Sequence, residues 1–142
     1  MKVSQRGLDL IKKYEGFRAR RYLCPAGKWT IGYGHVLNDE ENFTEIDQQE
    51  AEKLLKQDIT KAEAAINKHV KISITQGQFD ALVSLVFNWG ASHFLRSKGL
   101  HKLNNRDFEG AIEEFKEVNK VGGVIMTGLV ERREEEKSLF CA

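Results

Sequence analysis

The chain has 142 residues, a length that predicts one domain with a core large enough to need no disulfide scaffold. Its 22 basic and 21 acidic residues leave a net charge of +1, which gives no reason to expect nucleic acid as a partner. The two cysteines and four scattered histidines lack the spacing of a zinc site, so the sequence predicts no metal and no cofactor. No apolar run has the length of a signal peptide or a membrane span.

The first predicted helix ends in a carboxylate. Ser4 is a favourable N-cap, and Leu8, Ile11 and Glu15 recur at the spacing of one helical face. Gly16 then supplies a stop signal. The pattern places Glu15 in the last turn, on the side that faces the core, where an uncompensated carboxylate is costly.

The residue pattern changes at residues 17–36, where it predicts a small antiparallel sheet. Tyr22 and Leu23 lie in one short strand, residues 29–33 form another, and the turn between them contains Pro25. Gly32 and Gly34 alternate with bulky residues, an arrangement that allows a ligand or another backbone to approach closely.

From residue 44 the pattern is helical to the end of the chain. An apolar stripe predicts a long connecting helix over roughly residues 44–67. Thr75 and Gln78 form a capping box that opens a strongly apolar helix ending near Gly90. Further helices are predicted around residues 108–115 and 128–140. The order of helix, small sheet and helices indicates the α+β class.

Three polar residues have a specific spacing. Eight residues separate Glu15 from Cys24, five separate Cys24 from Thr30, and Thr30 begins the run Thr-Ile-Gly-Tyr-Gly-His. This pattern resembles the phage-type lysozymes of glycoside hydrolase family 24, in which Glu, then Asp or Cys, then Thr occur at these spacings. The resemblance continues through residues 75–88, 103–104 and 128–133, so it covers almost the whole chain.

The resemblance implies a lysozyme-like two-lobed α+β fold, with a small antiparallel sheet in the N-terminal lobe, a long connecting helix and a helical C-terminal lobe. We expect a single domain over residues 1–142, with an N-terminal lobe at about 12–60 and a C-terminal lobe at about 61–142, on which the first helix packs. The implied enzyme is an endolysin, a muramidase that hydrolyses the β-1,4 bond between N-acetylmuramic acid and N-acetylglucosamine in bacterial peptidoglycan and lyses the host cell.

The family's catalytic residues carry over position by position. Glu15 corresponds to the catalytic acid, because glycoside hydrolysis needs a group that protonates the leaving oxygen. Cys24 and Thr30 correspond to the catalytic groups that direct the attacking water. The implied substrate-binding residues are Tyr33, Gly34 and Asn88.

The main departure from the family is Cys24, where many members have Asp. A thiol of ordinary pKa, about 8.5, is mostly neutral at pH 7 and is a weaker base than a carboxylate. Two alternatives therefore stay open: a lytic transglycosylase, which would leave 1,6-anhydro ends, and an inactive glycan-binding homologue. Position in the sequence does not identify any of Asp39, Glu40 and Glu41 as a substitute base. Lesser departures are Lys98-Gly99 and Glu131.

Several supporting roles follow from the resemblance. His35 is expected to pair with Asp58, whereas Arg132 and Arg133 either support the acid or form a solvated face. The basic cluster of Arg18, Arg20 and Arg21 is either a solvated strand edge or attracted to anionic cell wall.

The expected partners are bacterial peptidoglycan and a holin-like protein that permeabilises the membrane. No nucleic-acid partner is expected. We expect the protein to act as a monomer. We expect it to stay in the host cytoplasm before release and to act on the cell wall in the periplasm.

Overall fold

Eight helices and five short strands make up the protein, which a computed structural model describes over all residues 1–142. The helices are α1 (Gln5–Glu15), α2 (Gln48–Asp58), α3 (Thr60–His69), α4 (Gln76–Trp89), α5 (Ala91–Leu95), α6 (Lys98–Asn104), α7 (Phe108–Lys116) and α8 (Thr127–Cys141). The strands are β1 (Arg18–Leu23), β2 (Trp29–Gly32), β3 (His35–Val36), β4 (Lys120–Val121) and β5 (Val124–Ile125). The predicted α+β class is confirmed. None of the eight helices combines the length and the hydropathy that a membrane span requires.

The chain forms two compact units. The first, called here the helical unit, comprises Met1–Leu10 together with Lys61–Ala142. The second, called the sheet unit, comprises Ile11–Thr60.

In the sheet unit, strands β1, β2 and β3 form one antiparallel sheet in that order, with α2 packed on β2 and β3. The close approach of α2 depends on Gly32. Its φ is +68°, and a Cβ at this position would lie 3.1 Å from the Cβ of Ala51. Around this contact Ile31, Leu54 and Leu55 are buried and form the core of the sheet unit.

The ends of the helices in the sheet unit follow local hydrogen bonds. Gly16 ends α1 as predicted, with a φ of +72° and its N–H donating to the Lys12 carbonyl at 2.9 Å. Helix α2 begins later than predicted, because the Asp47 carboxylate accepts from the Glu50 N–H at 2.8 Å and so caps it.

The expected connecting helix over residues 44–67 is present as two segments, α2 and α3, which meet at Ile59. The hydroxyl of Thr60 donates to the Lys56 carbonyl at 3.0 Å. A threonine hydroxyl that bonds to the carbonyl four residues earlier competes with the backbone hydrogen bonds of a helix, which accounts for the interruption.

In the helical unit, α4 packs against α8, and α7 packs against both α6 and α8. The Thr75–Gln78 capping box is confirmed at the start of α4, and the helix ends at Gly90 as predicted. Gly99, one of the departures from the family pattern, has a structural reason, because a Cβ there would overlap the ring of Phe115. Ser4 differs from the prediction: its hydroxyl donates to Asp80 and does not cap its own helix.

The hairpin of β4 and β5 was not predicted. Gly122 and Gly123 have φ values of +57° and +82°, and they connect two strands of two residues each. A Gly-Gly pair between short apolar runs is a hairpin signal, but strands this short carry too little pattern to be recognised.

Candidate active site

Cys24 lies at the tip of the β1–β2 hairpin and is partly exposed. Its N–H donates to the Lys28 carbonyl at 2.9 Å, and its carbonyl accepts from the Gly27 N–H at 2.8 Å. Gly27 closes this tight turn with a φ of +77°. These two hydrogen bonds therefore fix the backbone on both sides of the Cys24 side chain.

Hydrogen bonds around the sulfur of Cys24 alter its acidity. The backbone of Lys28 contributes most to lowering the pKa of the thiol, and burial opposes this only in part. Ala26 and the hydroxyl of Thr30 lower the pKa further. The thiol is therefore more often ionised at neutral pH than the ordinary cysteine assumed from the sequence.

Thr30 is the neighbour of Cys24 across the hairpin. It is 3% exposed, and its Oγ1 donates to the Lys28 carbonyl at 3.1 Å while also lying within hydrogen-bond reach of the Cys24 thiol. In the sheet it pairs directly with Tyr22 on β1 and Val36 on β3. The central strand thus holds the hydroxyl beside the sulfur.

Glu15 is the last residue of α1 and is partly exposed. Its carboxylate lies against the turn between β2 and β3, since a Cβ at Gly34 would be 3.3 Å from Oε1 of Glu15. Gly34 also has a φ of +80°, a conformation that favours glycine. The absence of a side chain at Gly34 is what lets this turn approach the carboxylate.

Tyr33 occupies an interior position, with 7% of its surface exposed. Its ring centroid lies 5.6 Å from that of Phe17, and Nζ of Lys12 lies 5.7 Å from the centre of the Tyr33 ring. These contacts fix the strand that precedes Gly34. A role for Tyr33 in binding substrate stays a prediction.

His35 lies between two carboxylates. Its Nδ1 is 2.8 Å from Asp58, which confirms the predicted pair, and its Nε2 is 2.9 Å from Glu41. Burial pulls the pKa of His35 down, but Asp58 and Glu41 outweigh this and raise it above its ordinary value.

Sequence reasoning did not assign Glu41 to His35, because residues 39–41 are all acidic and their positions in the loop could not be distinguished. Burial raises the pKa of Glu41, but the Asn38 N–H, which donates to it at 2.9 Å, and His35 together lower it. Glu41 is thus committed to His35, which argues against its use as a base in place of Cys24.

The helical unit contains a separate buried charge cluster on α8. Arg132 and Arg133 are each 3% exposed, so the solvated face considered from the sequence is wrong. Nε of Arg133 lies 2.8 Å from the carboxylate of Glu136, which also accepts from the Ser84 hydroxyl at 2.6 Å.

Asn88, the predicted substrate-binding residue of the helical unit, is exposed near the end of α4. Its Oδ1 accepts from Nη2 of Arg133 at 2.7 Å. This bond fixes the amide of Asn88 with its oxygen toward the buried cluster.

Comparisons with known proteins agree with this architecture. The fold is that of the lysozymes: a crystal structure of a P22 lysozyme mutant superposes with a TM-score of 0.91 at 34% identity, covering 100% of this chain and 99% of that one. The muramidase domain of SpmX from Asticaccaulis excentricus gives a TM-score of 0.84 at 35% identity, covering 99% and 98%. The endolysin of Acyrthosiphon pisum secondary endosymbiont phage 1 is 45% identical, covering 99% of this chain and 98% of that protein.

The chain belongs to the phage lysozyme family, whose model matches residues 12–136. It is accordingly a glycoside hydrolase of the lysozyme type, an endolysin that hydrolyses peptidoglycan. Some relatives are longer, and the chain spans 54% of the Bacillus phage B103 endolysin, to which it is 43% identical.

Proposed function

We propose that the protein hydrolyses the β-1,4 bond between N-acetylmuramic acid and N-acetylglucosamine, with Glu15 as the general acid. The arrangement in the sheet unit supports this assignment. A carboxylate at the end of α1 lies against Gly34, and a thiol and a hydroxyl lie together at the hairpin of the same sheet. Glycoside hydrolysis needs both an acid for the leaving oxygen and a group that directs water.

In the proposed reaction, protonated Glu15 donates its proton to the glycosidic oxygen while the bond from that oxygen to C1 of the muramic acid breaks. A water molecule held by Cys24 and Thr30 adds to C1 and gives its proton to the Cys24 thiolate. Proton exchange with solvent then restores the acid and the thiolate. The lowered pKa of Cys24 supports this role, because it increases the fraction of the thiol that is ionised and able to accept a proton from water.

The products of purified enzyme acting on purified peptidoglycan test the reaction. Mass spectrometry should find muropeptides with reducing N-acetylmuramic acid ends, since water is the acceptor. Ends of the 1,6-anhydro type would instead assign a transglycosylase, in which the 6-hydroxyl of the muramic acid replaces water.

For release, we propose that a separate holin-like protein permeabilises the host membrane, because the peptidoglycan lies outside the cytoplasm in which the enzyme is made. The protein would then act as a monomer on the wall. Expression with and without a holin, followed by membrane-potential dyes and turbidity, tests this. Lysis without prior membrane damage would contradict it, and light scattering would measure the oligomeric state.

A further inference from the structure

The β1–β2 hairpin is a cationic surface. Residues 16–38 include three arginines and one lysine but no aspartate or glutamate. All four of these cations, Arg18, Arg20, Arg21 and Lys28, are exposed. The hairpin that carries Cys24 at its tip is therefore suited to an anionic ligand.

Two of the arginines are held by aromatic rings. The guanidinium of Arg18 lies 4.5 Å from the ring centre of Tyr22, and that of Arg21 lies 4.6 Å from the ring centre of Trp29. Neither has an acidic partner, whereas Arg20 lies 3.8 Å from Glu45. A stacked guanidinium is restrained while the N–H groups along its edge remain available, which suits bidentate contact with a carboxylate.

The two stacked arginines lie on opposite sides of the hairpin. Tyr22 pairs directly with Thr30, and Leu23 pairs directly with Trp29. Residues directly opposite in a sheet point to the same side, and successive residues point to opposite sides. Arg18 and Tyr22 therefore lie on the same face of the hairpin as Thr30. Arg21 and Trp29 lie on the opposite face.

We infer that Arg18, held over Tyr22, binds a free carboxylate of the peptide stem on the muramic acid that reacts. The inference rests on the proposed function, because it places this sugar beside Cys24 and Thr30. The stem begins at O3 of the sugar whose C1 is attacked, so it leaves the reacting ring within a few bonds of the site. Its carboxylates complement a guanidinium that has no acidic partner of its own. Arg18 would thus select stems with free carboxylates over amidated ones.

Soluble uncross-linked peptidoglycan strands provide the test, in their native form and after their carboxyl groups have been amidated with carbodiimide and ammonia. On native strands, Arg18→Gln should raise KM about fivefold at unchanged kcat, the size of one exposed charge contact. On amidated strands the parent enzyme should already show the higher KM, and Arg18→Gln should change nothing further. Arg18→Lys should lie between, because it keeps the charge and loses the planar fork.

The matched control is Arg21→Gln, which removes another exposed and stacked arginine from the other side of the same hairpin. It should leave KM unchanged on both substrates. Equal effects of the two substitutions, or an effect of Arg18→Gln that persists on amidated strands, would overturn the inference. So would loss of binding to phosphatidylglycerol vesicles in Arg18→Gln at unchanged KM, which would assign the surface to lipid. Failure of the parent enzyme to release reducing ends from either substrate would instead refute the proposed function.

Discussion

Glu15, Cys24 and His35 in the sheet unit are all partly exposed, whereas Arg132, Arg133 and Glu136 in the helical unit are almost fully buried. The two sets also differ in chemistry. The sheet unit carries groups that can gain or lose a proton, and the pKa values of its thiol and its imidazole are both shifted. The helical unit joins the carboxylate of Glu136 to two arginines, and burial there raises the pKa of Glu136 and lowers that of Arg133.

This difference agrees with the roles proposed for Glu15 and Cys24. A group that exchanges protons with substrate must stay within reach of solvent, and hydrogen bonds at a turn are enough to adjust its pKa. Charges inside a helical core must be paired at short distance, because an isolated buried charge is costly. We therefore expect substitutions of Glu15 and Cys24 to change activity or its pH dependence, and substitutions in the buried cluster to change stability.

The largest effect is expected from Glu15→Gln. Glutamine keeps the size of the side chain but cannot donate the proton, and general acid catalysis contributes about 10²–10⁴-fold. Turbidity of permeabilised cells should show a loss of lysis of this order, while the melting temperature stays near that of the parent. Activity close to the parent would show that another group is the acid.

Arg133→Met should have the largest effect on stability. Removing one partner of a buried ion pair typically costs about 3–5 kcal/mol, and here it leaves Glu136 short of its closest cation. Denaturant unfolding measures the free energy. Arg6→Met is the control, since it removes an exposed arginine from the same unit. If both variants lose less than about 1 kcal/mol, the scale of a surface pair, the buried cluster is not what stabilises the helical unit.

The class of fold and the position of Glu15 at the end of a helix could be predicted because they depend on local patterns. Helix periodicity and Gly16 place Glu15 at a helix end, and the capping box fixes the start of α4. The pairing of Glu41 with His35 could not be predicted, because it depends on the path of a loop with three consecutive acidic residues.

The lowered pKa of the Cys24 thiol also could not be predicted from the sequence. The residue type suggests an ordinary thiol, and the lowered pKa arises from backbone groups that converge only when the hairpin turn has formed. Backbone donors are the same at every residue, so no sequence pattern reports them. The interruption at Ile59 was also missed, because the apolar stripe continues through it without a change of pattern.

Cys24→Ala and Cys24→Asp test the chemistry of the turn. Loss of the thiol should lower kcat by about 10²-fold, the lower end of the range for general acid–base catalysis, because a group that orients and deprotonates water is removed. The Asp variant should retain activity, and the acid limb of its pH profile should move to lower pH, because a carboxylate is ionised at lower pH than a thiol.

Thiol-blocking reagents show which of the two cysteines is needed for activity in the same assay. They should inhibit the parent enzyme and a Cys141→Ser variant, which loses only the exposed terminal thiol, and should spare Cys24→Asp. Full activity in Cys24→Ala would mean that the sulfur serves packing alone.

The smallest expected effect is the pH dependence of stability that His35 gives the sheet unit. The folded pKa of His35 is raised, so its pairing stabilises the fold fully below the ordinary pKa of about 6.5 and is lost as pH rises through the folded pKa. Glu41 has a lowered pKa, so its contribution is present above about pH 4.3 and is lost as pH falls through its folded pKa.

His35→Asn should therefore cost about 1–2 kcal/mol near pH 6, the scale of one charge-assisted hydrogen bond, and less at higher pH. Unfolding curves from pH 4 to 9, with the exposed His101→Asn as control, measure this. A constant difference between His35→Asn and the parent over that range would show that the imidazole acts as a neutral packing group.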